Sequence, residues 1–375
     1  MTMLMLVMTV AVALGFDFTN GFHDTANAVA TTIGTRALAP RVAIAMSALF
    51  NLIGAVVATQ VLHAKVANTI GGLVKPAHGV GLGMIVAALL GAIVWNLITW
   101  RAGLPSSSSH ALIGALVGMG LAGFGAGAVQ WAKLWPVVLA LVTSPVVGLA
   151  AAFVVTILVM HLLRRTRPGT ANHGMRRLQL LSSAFVSFSH GANDSQKTMA
   201  VIALALVSTG HLAQFAVPLW VVLAAAVAIG AGTWAGGWRI IRTMSSRIIK
   251  MGPLHGFAAE GVAATVIQLA TRQGLPVSTT HVVAGAVMGA GATRRLSAVR
   301  WGMASNIVLA WVLTIPASAL VAGVLALLVR ADTRLWAAAA VSLAVVVAGI
   351  VMLVRDGRRR STRRIDSGAP AGPTT

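Results

Sequence analysis

Two short motifs each occur twice in the sequence, and both contain side chains that are unusual in apolar surroundings. The first motif is GFHDTAN from Gly21, and it recurs 170 residues later as GANDSQK from Gly191. The second is LPSSSSH from Leu104, which recurs 171 residues later as LPVSTTH from Leu275. Pairs kept in the same order at nearly constant spacing indicate a duplicated chain. The carboxylates of the first motif suit cations or protons, and the hydroxyls of the second suit an anion.

Acidic residues are rare in the apolar part of the chain, which makes each of them a candidate for function. Only Asp17, Asp24, Asp194 and Glu260 lie in the stretches that we predict to be membrane helices. A charge at the bilayer centre costs at least about 3 kcal/mol on insertion scales, so such residues commonly mark ion or proton pathways. Asp24 and Asp194 are the strongest candidates because both copies of the repeat carry them. The alternative is a structural role, which for Asp17 is equally favoured.

Lys197 distinguishes the second copy of the first motif. It stands where the first copy has Asn27 and follows Asp194 by three residues, a spacing that places both side chains on one helix face. An ammonium group there can neutralise Asp194 or replace a bound cation. A lysine that extends its charge to the membrane interface is the alternative. Glu260 has no acidic counterpart in the first half, and we interpret it as a cation or proton site.

The serine and threonine runs predict an anion site. We expect the preceding proline to occupy the first turn of a helix and the hydroxyls to cap free backbone N–H groups. The hydroxyl residues are Ser107, Ser108, Ser109, Ser278, Thr279 and Thr280. Because helix N-termini attract anions, two such ends can enclose one tetrahedral oxyanion near the membrane midplane. Simple helix capping is the alternative. His110 and His281, which follow the runs, are either proton carriers or structural histidines.

The composition predicts a membrane protein. Of the 375 residues 57% are hydrophobic and 9% are charged, whereas soluble domains carry about a quarter charged residues. Apolar runs of roughly 20 residues predict about ten to twelve membrane helices. We place the spans near 3–32, 42–62, 81–100, 105–125, 135–163, 178–206, 215–238, 251–271, 276–291, 301–329 and 335–354. The sequence has no cysteine, which excludes disulfides and thiolate metal sites.

The basic residues predict the orientation of these helices. The chain has 28 Lys and Arg against 7 Asp and Glu, a net charge of +21. In a soluble protein this excess would indicate nucleic acid, but here the charges lie between apolar runs and favour anionic lipid instead. With the N-terminus outside, most basic loops lie inside, and the two helices that carry the first motif are five crossings apart. They then run in opposite directions, as in the inverted repeats of many secondary transporters.

The predicted fold is therefore all-α and polytopic, with two inverted-topology repeats and broken or re-entrant helices. The first repeat is expected at 1–163 and the second at 178–354, joined by a basic cytoplasmic loop at 164–177. A disordered basic cytoplasmic tail is expected at 355–375.

Four segments resemble the signatures of the inorganic phosphate transporter family: GFDFTNGFHDTANAVATTIGT, FVSFSHGANDSQKTMAVIALAL, LPSSSSH and LPVSTTH. The likeness covers about residues 10–330. It implies a symporter of inverted repeats in a bacterial inner membrane that moves inorganic phosphate with a coupling cation. By the same resemblance Asp24, Asn27, Asn193 and Asp194 bind the cation, and the two hydroxyl runs bind phosphate.

One departure from the family pattern bears on the coupling ion. Sodium-coupled relatives repeat an Asn-Ala pattern after the second aspartate, where this chain has Gln196 and Lys197. A fixed ammonium repels Na⁺, and the pattern is similar to a bacterial branch that couples to protons and can carry neutral metal–phosphate complexes. We predict proton symport with Asp24, Asp194 or Glu260 as carrier, and no cofactor.

Other functions stay open at this point. Within transport they are sodium-coupled phosphate symport, symport of another oxyanion such as sulfate, and a passive channel. An intramembrane hydrolase is disfavoured because the sequence has no G-x-S-x-G motif. The expected partners are inorganic phosphate, the coupling cation and membrane lipid, with no nucleic acid and with a homodimer left open.

Overall fold

The computed structural model describes residues 2–75, 80–249 and 251–331, and these residues are predominantly α-helical. The helices are α1 (Thr2–Gly34), α2 (Pro40–Leu62), α3 (Lys65–Gly71), α4 (Leu82–Ala102), α5 (Ser108–Phe124), α6 (Trp131–Leu162), α7 (Pro168–Ser208), α8 (Leu219–Ala235), α9 (Trp238–Arg242), α10 (Pro253–Arg272), α11 (Thr279–Ala292) and α12 (Trp301–Ala331). No strand is assigned within these ranges. The predicted span at 335–354 and the tail at 355–375 lie outside the described residues.

Each predicted span from 3–32 to 301–329 corresponds to one helix. Among the described helices, five are long and apolar enough to cross a membrane: α1, α2, α4, α6 and α12. A sixth is obtained when α8 and the helical segment after it, bent by 58°, are taken as one span. This number is below the predicted ten to twelve crossings for two reasons. Helices α7 and α10 have 41 and 20 residues but carry many buried polar side chains and are not apolar enough to be counted. Helices α5 and α11 have only 17 and 14 residues. A full crossing takes about 20 residues.

The predicted loop at 164–177 is largely helical, which corrects the sequence-based boundary. Helix α7 begins at Pro168 and continues for 41 residues to Ser208. Proline is well suited to the first helical position because its fixed φ matches the helix and its missing N–H needs no partner. Arg176 and Arg177 therefore belong to α7 and lie in its polar N-terminal part, before its apolar part begins.

Glycines allow helices of the two halves to pack closely. A Cβ atom on Gly21 of α1 would lie 2.2 Å from the Ile229 carbonyl oxygen of α8. A Cβ atom on Gly191 of α7 would lie 2.0 Å from the Asn51 carbonyl oxygen of α2. The first helix of each half thus packs against the second helix of the other, and small residues make that approach possible.

The same reciprocity holds for the helices that follow the hydroxyl runs. Helix α5 packs against α12, where a Cβ on Gly118 would lie 2.1 Å from the Ala319 carbonyl oxygen. Helix α11 packs against α6, where a Cβ on Gly289 would lie 2.0 Å from the Leu149 carbonyl oxygen. The absence of a side chain at these glycines allows the close approach of the helices.

Helices α1 and α7, which carry the two copies of the first motif, run in opposite directions along their contact. Thr35 Oγ1 donates to Gln179 Oε1 at 2.8 Å, and Thr32 Oγ1 donates to Ser183 Oγ at 2.9 Å. Further back along α1, Asp24 lies 3.9 Å from His190. Successive contacts thus move towards the N-terminus of α1 and towards the C-terminus of α7, so the two helices are antiparallel.

Long apolar side chains cover the outside of α6 and α12. Leu158 is 62% exposed and Val312 is 66% exposed. Polar side chains, in contrast, are buried between the helices, including most of both repeated motifs. An apolar exterior around a polar interior suits a protein whose solvent is lipid.

Candidate functional site

The two hydroxyl runs form the N-terminal ends of α5 and α11. Ser107 is the N-cap of α5, and its hydroxyl accepts from the His110 backbone N–H at 3.1 Å. Ser278 is the N-cap of α11 and accepts from the His281 N–H at 3.2 Å. Because an N-cap hydroxyl satisfies one of the free N–H groups of the first turn, both helix starts are fixed. The remaining hydroxyls of each run occupy the first turn.

The prolines of the two runs lie outside these helices, contrary to the prediction. Pro105 and Pro276 stand two residues before the N-caps Ser107 and Ser278. In each run a serine two residues after the proline is a better N-cap than the leucine before it, and the cap position fixes where the helix begins.

Asp24 joins the first motif to both hydroxyl runs. Its carboxylate accepts from Ser108 Oγ at 2.9 Å and from Thr280 Oγ1 at 3.3 Å. Asn27 Nδ2 donates to Thr280 Oγ1 at 2.8 Å. All four side chains are buried. The starts of α5 and α11, one from each half of the chain, thus meet at the same carboxylate on α1.

Lys197 and Asp194 form a buried ion pair, with 2.7 Å between Nζ and the carboxylate. The spacing of three residues predicted this pairing. Lys197 Nζ also lies 2.5 Å from Ser109 Oγ in the first hydroxyl run. Lys197 is fully buried, so its charge does not reach the membrane interface. The ammonium therefore lies between the second-motif carboxylate and the predicted anion site.

His190 lies between the two aspartates and is not among the site residues predicted from the sequence. Its Nε2 atom lies 3.5 Å from Asp194 and 3.9 Å from Asp24. The Nδ1 atom lies 2.8 Å from Asn51 Oδ1. One ligand atom from each of Asp24, His190 and Asp194 lies within 4.8 Å of the others, an arrangement that can hold a metal ion. The signal in the sequence was the position of His190 directly before the second motif.

On α1, His23 is likewise close to an aspartate and is not among the site residues predicted from the sequence. Its Nδ1 atom lies 2.7 Å from Asp24 Oδ1, and Nε2 lies 3.3 Å from both Thr99 and Ser106. His23 therefore links Asp24 to the loop in front of α5. The His23 imidazole is a second polar group, besides the carboxylate, at this position.

Asn193 contacts the chain immediately before the second hydroxyl run. Its Nδ2 atom donates to Thr271 Oγ1 at 2.8 Å and to the Leu275 carbonyl oxygen at 3.2 Å. Asn193 contacts the end of α10 and the loop before α11. The corresponding residue of the first motif is His23. Ser109 ties the same loop to the first run by donating to the Val277 carbonyl oxygen at 2.8 Å.

Several buried polar atoms at this junction have no hydrogen-bond partner within the part of the chain that is described. They are Asn27 Oδ1, Asn193 Oδ1, Thr279 Oγ1 and His190 Nε2. Buried polar groups are nearly always paired, so unpaired ones call for an explanation such as a missing ligand or water. These atoms cluster between the two hydroxyl runs and the aspartates Asp24 and Asp194. We call this junction the central site.

Glu260 lies in a separate polar cluster between α1, α7 and α10. Its carboxylate accepts from Thr31, from Thr32 at 2.7 Å, from Gln179 at 3.3 Å and from Ser182 at 2.7 Å. Thr31 follows Asp24 by about two helical turns, so the structure separates Glu260 from the central site. The sequence grouped Glu260 with the aspartates, and the structure does not bring them together.

Asp17 and the two histidines that follow the hydroxyl runs, His110 and His281, lie around the central site. Asp17 is fully buried, and neither carboxylate oxygen has a hydrogen-bond partner among the described residues. His110 and His281 stack on each other with 4.3 Å between ring centroids, and His281 also stacks on Trp311 at 3.9 Å. Trp311 Nε1 donates to the Pro105 carbonyl oxygen at 3.0 Å. These rings therefore connect the starts of α5 and α11.

The sequence of this chain matches a known family over most of its length. The family model described as the phosphate transporter family covers residues 20–322. The chain belongs to the phosphate transporter family. A protein of Rhizobium meliloti is 48% identical over 84% of this chain and 94% of its own length. One of Bacillus subtilis is 41% identical over 84% of this chain and 95% of its own length. Both are named probable low-affinity inorganic phosphate transporters.

A solved structure has the same architecture. It is described as the sodium-dependent phosphate transporter, with a TM-score of 0.77 and 25% identity over 88% of this chain and 99% of that one. The resemblance noted in the sequence is thus confirmed, as are the all-α multi-pass fold and the membrane location. Phosphate is the substrate of the family, and its members are transporters rather than enzymes.

Proposed function

We propose that this protein is a secondary active symporter that imports inorganic phosphate together with protons. The observation that carries the proposal is the position of Lys197, whose ammonium is paired with Asp194 and lies 2.5 Å from Ser109 in the hydroxyl run of α5. A positive charge inside the site repels a second cation. The second motif therefore carries its own cation, and a proton is the coupling ion that this arrangement accommodates best.

Phosphate would bind between the N-termini of α5 and α11. Ser107, Ser108 and Ser109 on one side and Ser278, Thr279 and Thr280 on the other supply hydroxyl donors, and both helix dipoles point their positive ends there. The Lys197 ammonium adds a charge-assisted donor. These groups satisfy a tetrahedral oxyanion, and the unpartnered Thr279 hydroxyl is a donor that phosphate would use.

Asp24 supplies the coupling. Its ionised carboxylate contacts Ser108 and Thr280, two of the proposed phosphate ligands, and would repel a phosphate anion at that distance. A proton on Asp24 removes the repulsion and frees both hydroxyls to turn towards phosphate. Phosphate and proton then enter together, and His23 beside Asp24 offers a route for the proton. Asn193, Asp194 and Glu260 remain members of the proposed coupling set.

A divalent metal ion is a further way to balance the charge. Asp24, His190 and Asp194 have the ligand types and the proximity that such an ion needs. Phosphate would then enter as a neutral metal–phosphate complex, with the metal on these three residues and the phosphate on the hydroxyl runs. Because the Lys197 ammonium repels a metal ion as it repels Na⁺, this route requires Lys197 to move away from Asp194.

We further propose that the halves form an inverted repeat and that transport proceeds by alternating access. The opposite directions of α1 and α7, and the reciprocal packing of α1 on α8 and α2 on α7, support this arrangement. The central site is buried on all sides in this structure, which corresponds to a state closed to both faces. The proposed units remain 1–163 and 178–354.

Sodium-coupled phosphate symport is the second candidate. Two observations favour it: the similar solved structure is described as sodium-dependent, and the first motif has no ammonium beside Asp24. The unpartnered Asn27 Oδ1 and the Asp24 carboxylate are oxygen ligands of the kind that Na⁺ takes. Symport of another oxyanion such as sulfate is distinguished by substrate competition. The homodimer stays a prediction.

Uptake of labelled phosphate into proteoliposomes tests the function. With the outside more acidic and no sodium present, labelled phosphate should accumulate above its outside concentration, and the accumulation should collapse when an ionophore dissipates the pH gradient. An excess of unlabelled arsenate should compete, because its tetrahedral shape and charge resemble those of phosphate, whereas sulfate should not. Equilibration without accumulation would indicate a channel, and inhibition by sulfate would indicate another substrate.

A further inference from the structure

A hydrogen-bonded contact on the short helix α3 fixes the chain in front of α11. Thr69 Oγ1 donates to the Gly274 carbonyl oxygen at 2.7 Å, and Lys65 Nζ donates to the Arg272 carbonyl oxygen at 3.3 Å. Those two carbonyls lie at the end of α10, immediately before the second hydroxyl run. We call Lys65 and Thr69 the outer latch, because the predicted topology places Lys65 outside the membrane.

A second contact of the same kind fixes the chain in front of α5. Thr243, just after α9, donates through Oγ1 to the Gly103 carbonyl oxygen at 2.9 Å, and Arg239 Nη1 donates to the Arg101 carbonyl oxygen at 2.7 Å. The Arg239 guanidinium also lies 5.3 Å from the centre of the Trp100 ring. We call Arg239 and Thr243 the inner latch, because the predicted topology places the loops of Arg101 and Arg239 inside.

The two latches are equivalent in geometry. Arg101 and Gly103 precede Arg272 and Gly274 by 171 residues, the spacing of the hydroxyl runs. Each latch has a basic residue followed four positions later by threonine, which bind the same pair of carbonyls. Carbonyls at a helix end need partners, and simple capping would meet that need locally. Here each partner comes from the other half of the chain, so each latch joins the two halves.

The outer latch is tied to the second motif. Gln196 lies between Asp194 and Lys197 in sequence, and its side-chain oxygen accepts from the backbone N–H of Val66 at 3.0 Å and of Ala67 at 3.3 Å. These N–H groups belong to the first turn of α3. A shift of Asp194 and Lys197 when phosphate or a proton binds would therefore be transmitted to α3.

The inner latch is tied to the first motif in a different way. Gly237, directly before α9, packs so closely on α1 that a Cβ there would lie 2.4 Å from the Phe22 carbonyl oxygen. Phe22 also contacts Trp100 with 5.2 Å between ring centroids. The inner latch thus contacts α1 at Phe22, which lies two residues before Asp24 in sequence. Gly236, which has a φ of 72°, allows the bend between α8 and α9.

We infer that the outer and inner latches are the two gates of the transport cycle, each closing the central site to one face of the membrane. The inference rests on the proposed alternating access. Both latches are formed in this structure, in which the central site is buried. Opening one face requires its threonine and its basic residue to release the two carbonyls, so that the adjacent loop and hydroxyl run can move. The other latch stays closed meanwhile.

Cysteine pairs can lock either latch, and the natural chain has no cysteine that would interfere. Cβ atoms at Gly103 and Arg239 would be 4.0 Å apart, and those at Gly274 and Lys65 would be 3.1 Å apart. Disulfides have Cβ separations of about 3.5–4.5 Å, so the first pair fits directly and the second requires a small shift. The variants are Gly103→Cys with Arg239→Cys for the inner latch and Gly274→Cys with Lys65→Cys for the outer latch.

The controls are the single substitutions Gly103→Cys and Gly274→Cys. Both glycines have positive φ, 67° and 73°, so a cysteine there is strained with or without a partner, and the single variants account for that strain. We expect oxidation to reduce phosphate uptake by either double variant to the level of empty vesicles. Reduction should restore uptake, and the single variants should be insensitive to oxidation.

Binding of labelled phosphate in detergent separates a gate from a structural support. Either disulfide alone should preserve binding, because the opposite face can still open, whereas all four cysteines oxidised together should prevent phosphate exchange. Uptake that continues in an oxidised double variant, or binding lost with one lock, would overturn the gate assignment. Failure of the unmodified protein to accumulate phosphate would instead refute the proposed function.

Discussion

Replacing Lys197 by asparagine tests whether its ammonium acts as a built-in cation. Asparagine is the residue at the corresponding position of the first motif, where Asn27 stands three residues after Asp24. The substitution removes a charge that lies 2.7 Å from Asp194 and a donor that lies 2.5 Å from Ser109. It leaves His190, whose Nε2 atom lies 3.5 Å from the Asp194 carboxylate, as a remaining neighbour.

The magnitude follows from burial. Lys197 and Asp194 are both fully buried, and removing one partner of a buried ion pair costs about 3–5 kcal/mol because the other charge is left uncompensated. A sodium ion that occupies the vacated position would return part of this energy. At a sodium concentration of about 100 times its Kd, the gain is about 2.7 kcal/mol. The double variant Asp194→Asn with Lys197→Asn loses both charges and should be less destabilised than Lys197→Asn alone.

Thermal unfolding in detergent, followed by tryptophan fluorescence, measures these differences, and the chain has ten tryptophans. We expect Lys197→Asn to unfold at lower temperature than the unmodified protein in choline chloride and to be stabilised by sodium chloride at equal ionic strength. The unmodified protein should be insensitive to the exchange. A Lys197→Asn variant as stable as the unmodified protein in choline, or equal sodium stabilisation of both, would refute the built-in cation.

Three further outcomes are expected. Asp194→Asn should abolish coupled phosphate uptake, and near-normal uptake would show that the residue is only structural. Thr280→Val removes the hydroxyl between Asn27 and Asp24 and should weaken phosphate binding by about 1–2 kcal/mol, roughly 5- to 30-fold; Thr265→Val, on the exposed side of α10, is the control in the same binding assay. Gly289→Ala should lower the unfolding temperature because its Cβ would lie 2.0 Å from the Leu149 carbonyl oxygen, whereas Gly261→Ala, with open space around it, should not.

Much of the central site could be predicted because the decisive relations are local or duplicated. The spacing of Asp194 and Lys197 fixes their pairing on one helix, and the two hydroxyl runs mark two helix starts whatever the tertiary fold. The predicted inverted repeat led us to expect that the two runs would converge on one anion. In the structure both runs contact Asp24, which was not predicted. Pro105 and Pro276 were expected in the first turn of their helices but lie two residues before the N-caps Ser107 and Ser278, because the start of each helix depends on which residue caps best.

Other features depend on contacts between distant segments, which the sequence does not encode in a visible pattern. His190 lies between the aspartates only because α7 crosses α1 at Asp24. Glu260 is held apart from that crossing by hydroxyl and amide donors of α1 and α7, including Thr32 and Ser182. The two latches could not be predicted from the sequence. Their segments share only a basic residue and a threonine four positions apart, which is too short a pattern to recognise as a repeat.

Flux of labelled phosphate under separately imposed gradients decides between the proton and sodium as the coupling ion. In proteoliposomes with a pH gradient, acidic outside, and no sodium on either side, we expect phosphate to accumulate inside the vesicles. With a sodium gradient and equal pH on both sides, we expect no accumulation. Brisk accumulation under the sodium gradient alone would contradict the assignment of Lys197 as the cation of the second motif and of the proton as the coupling ion.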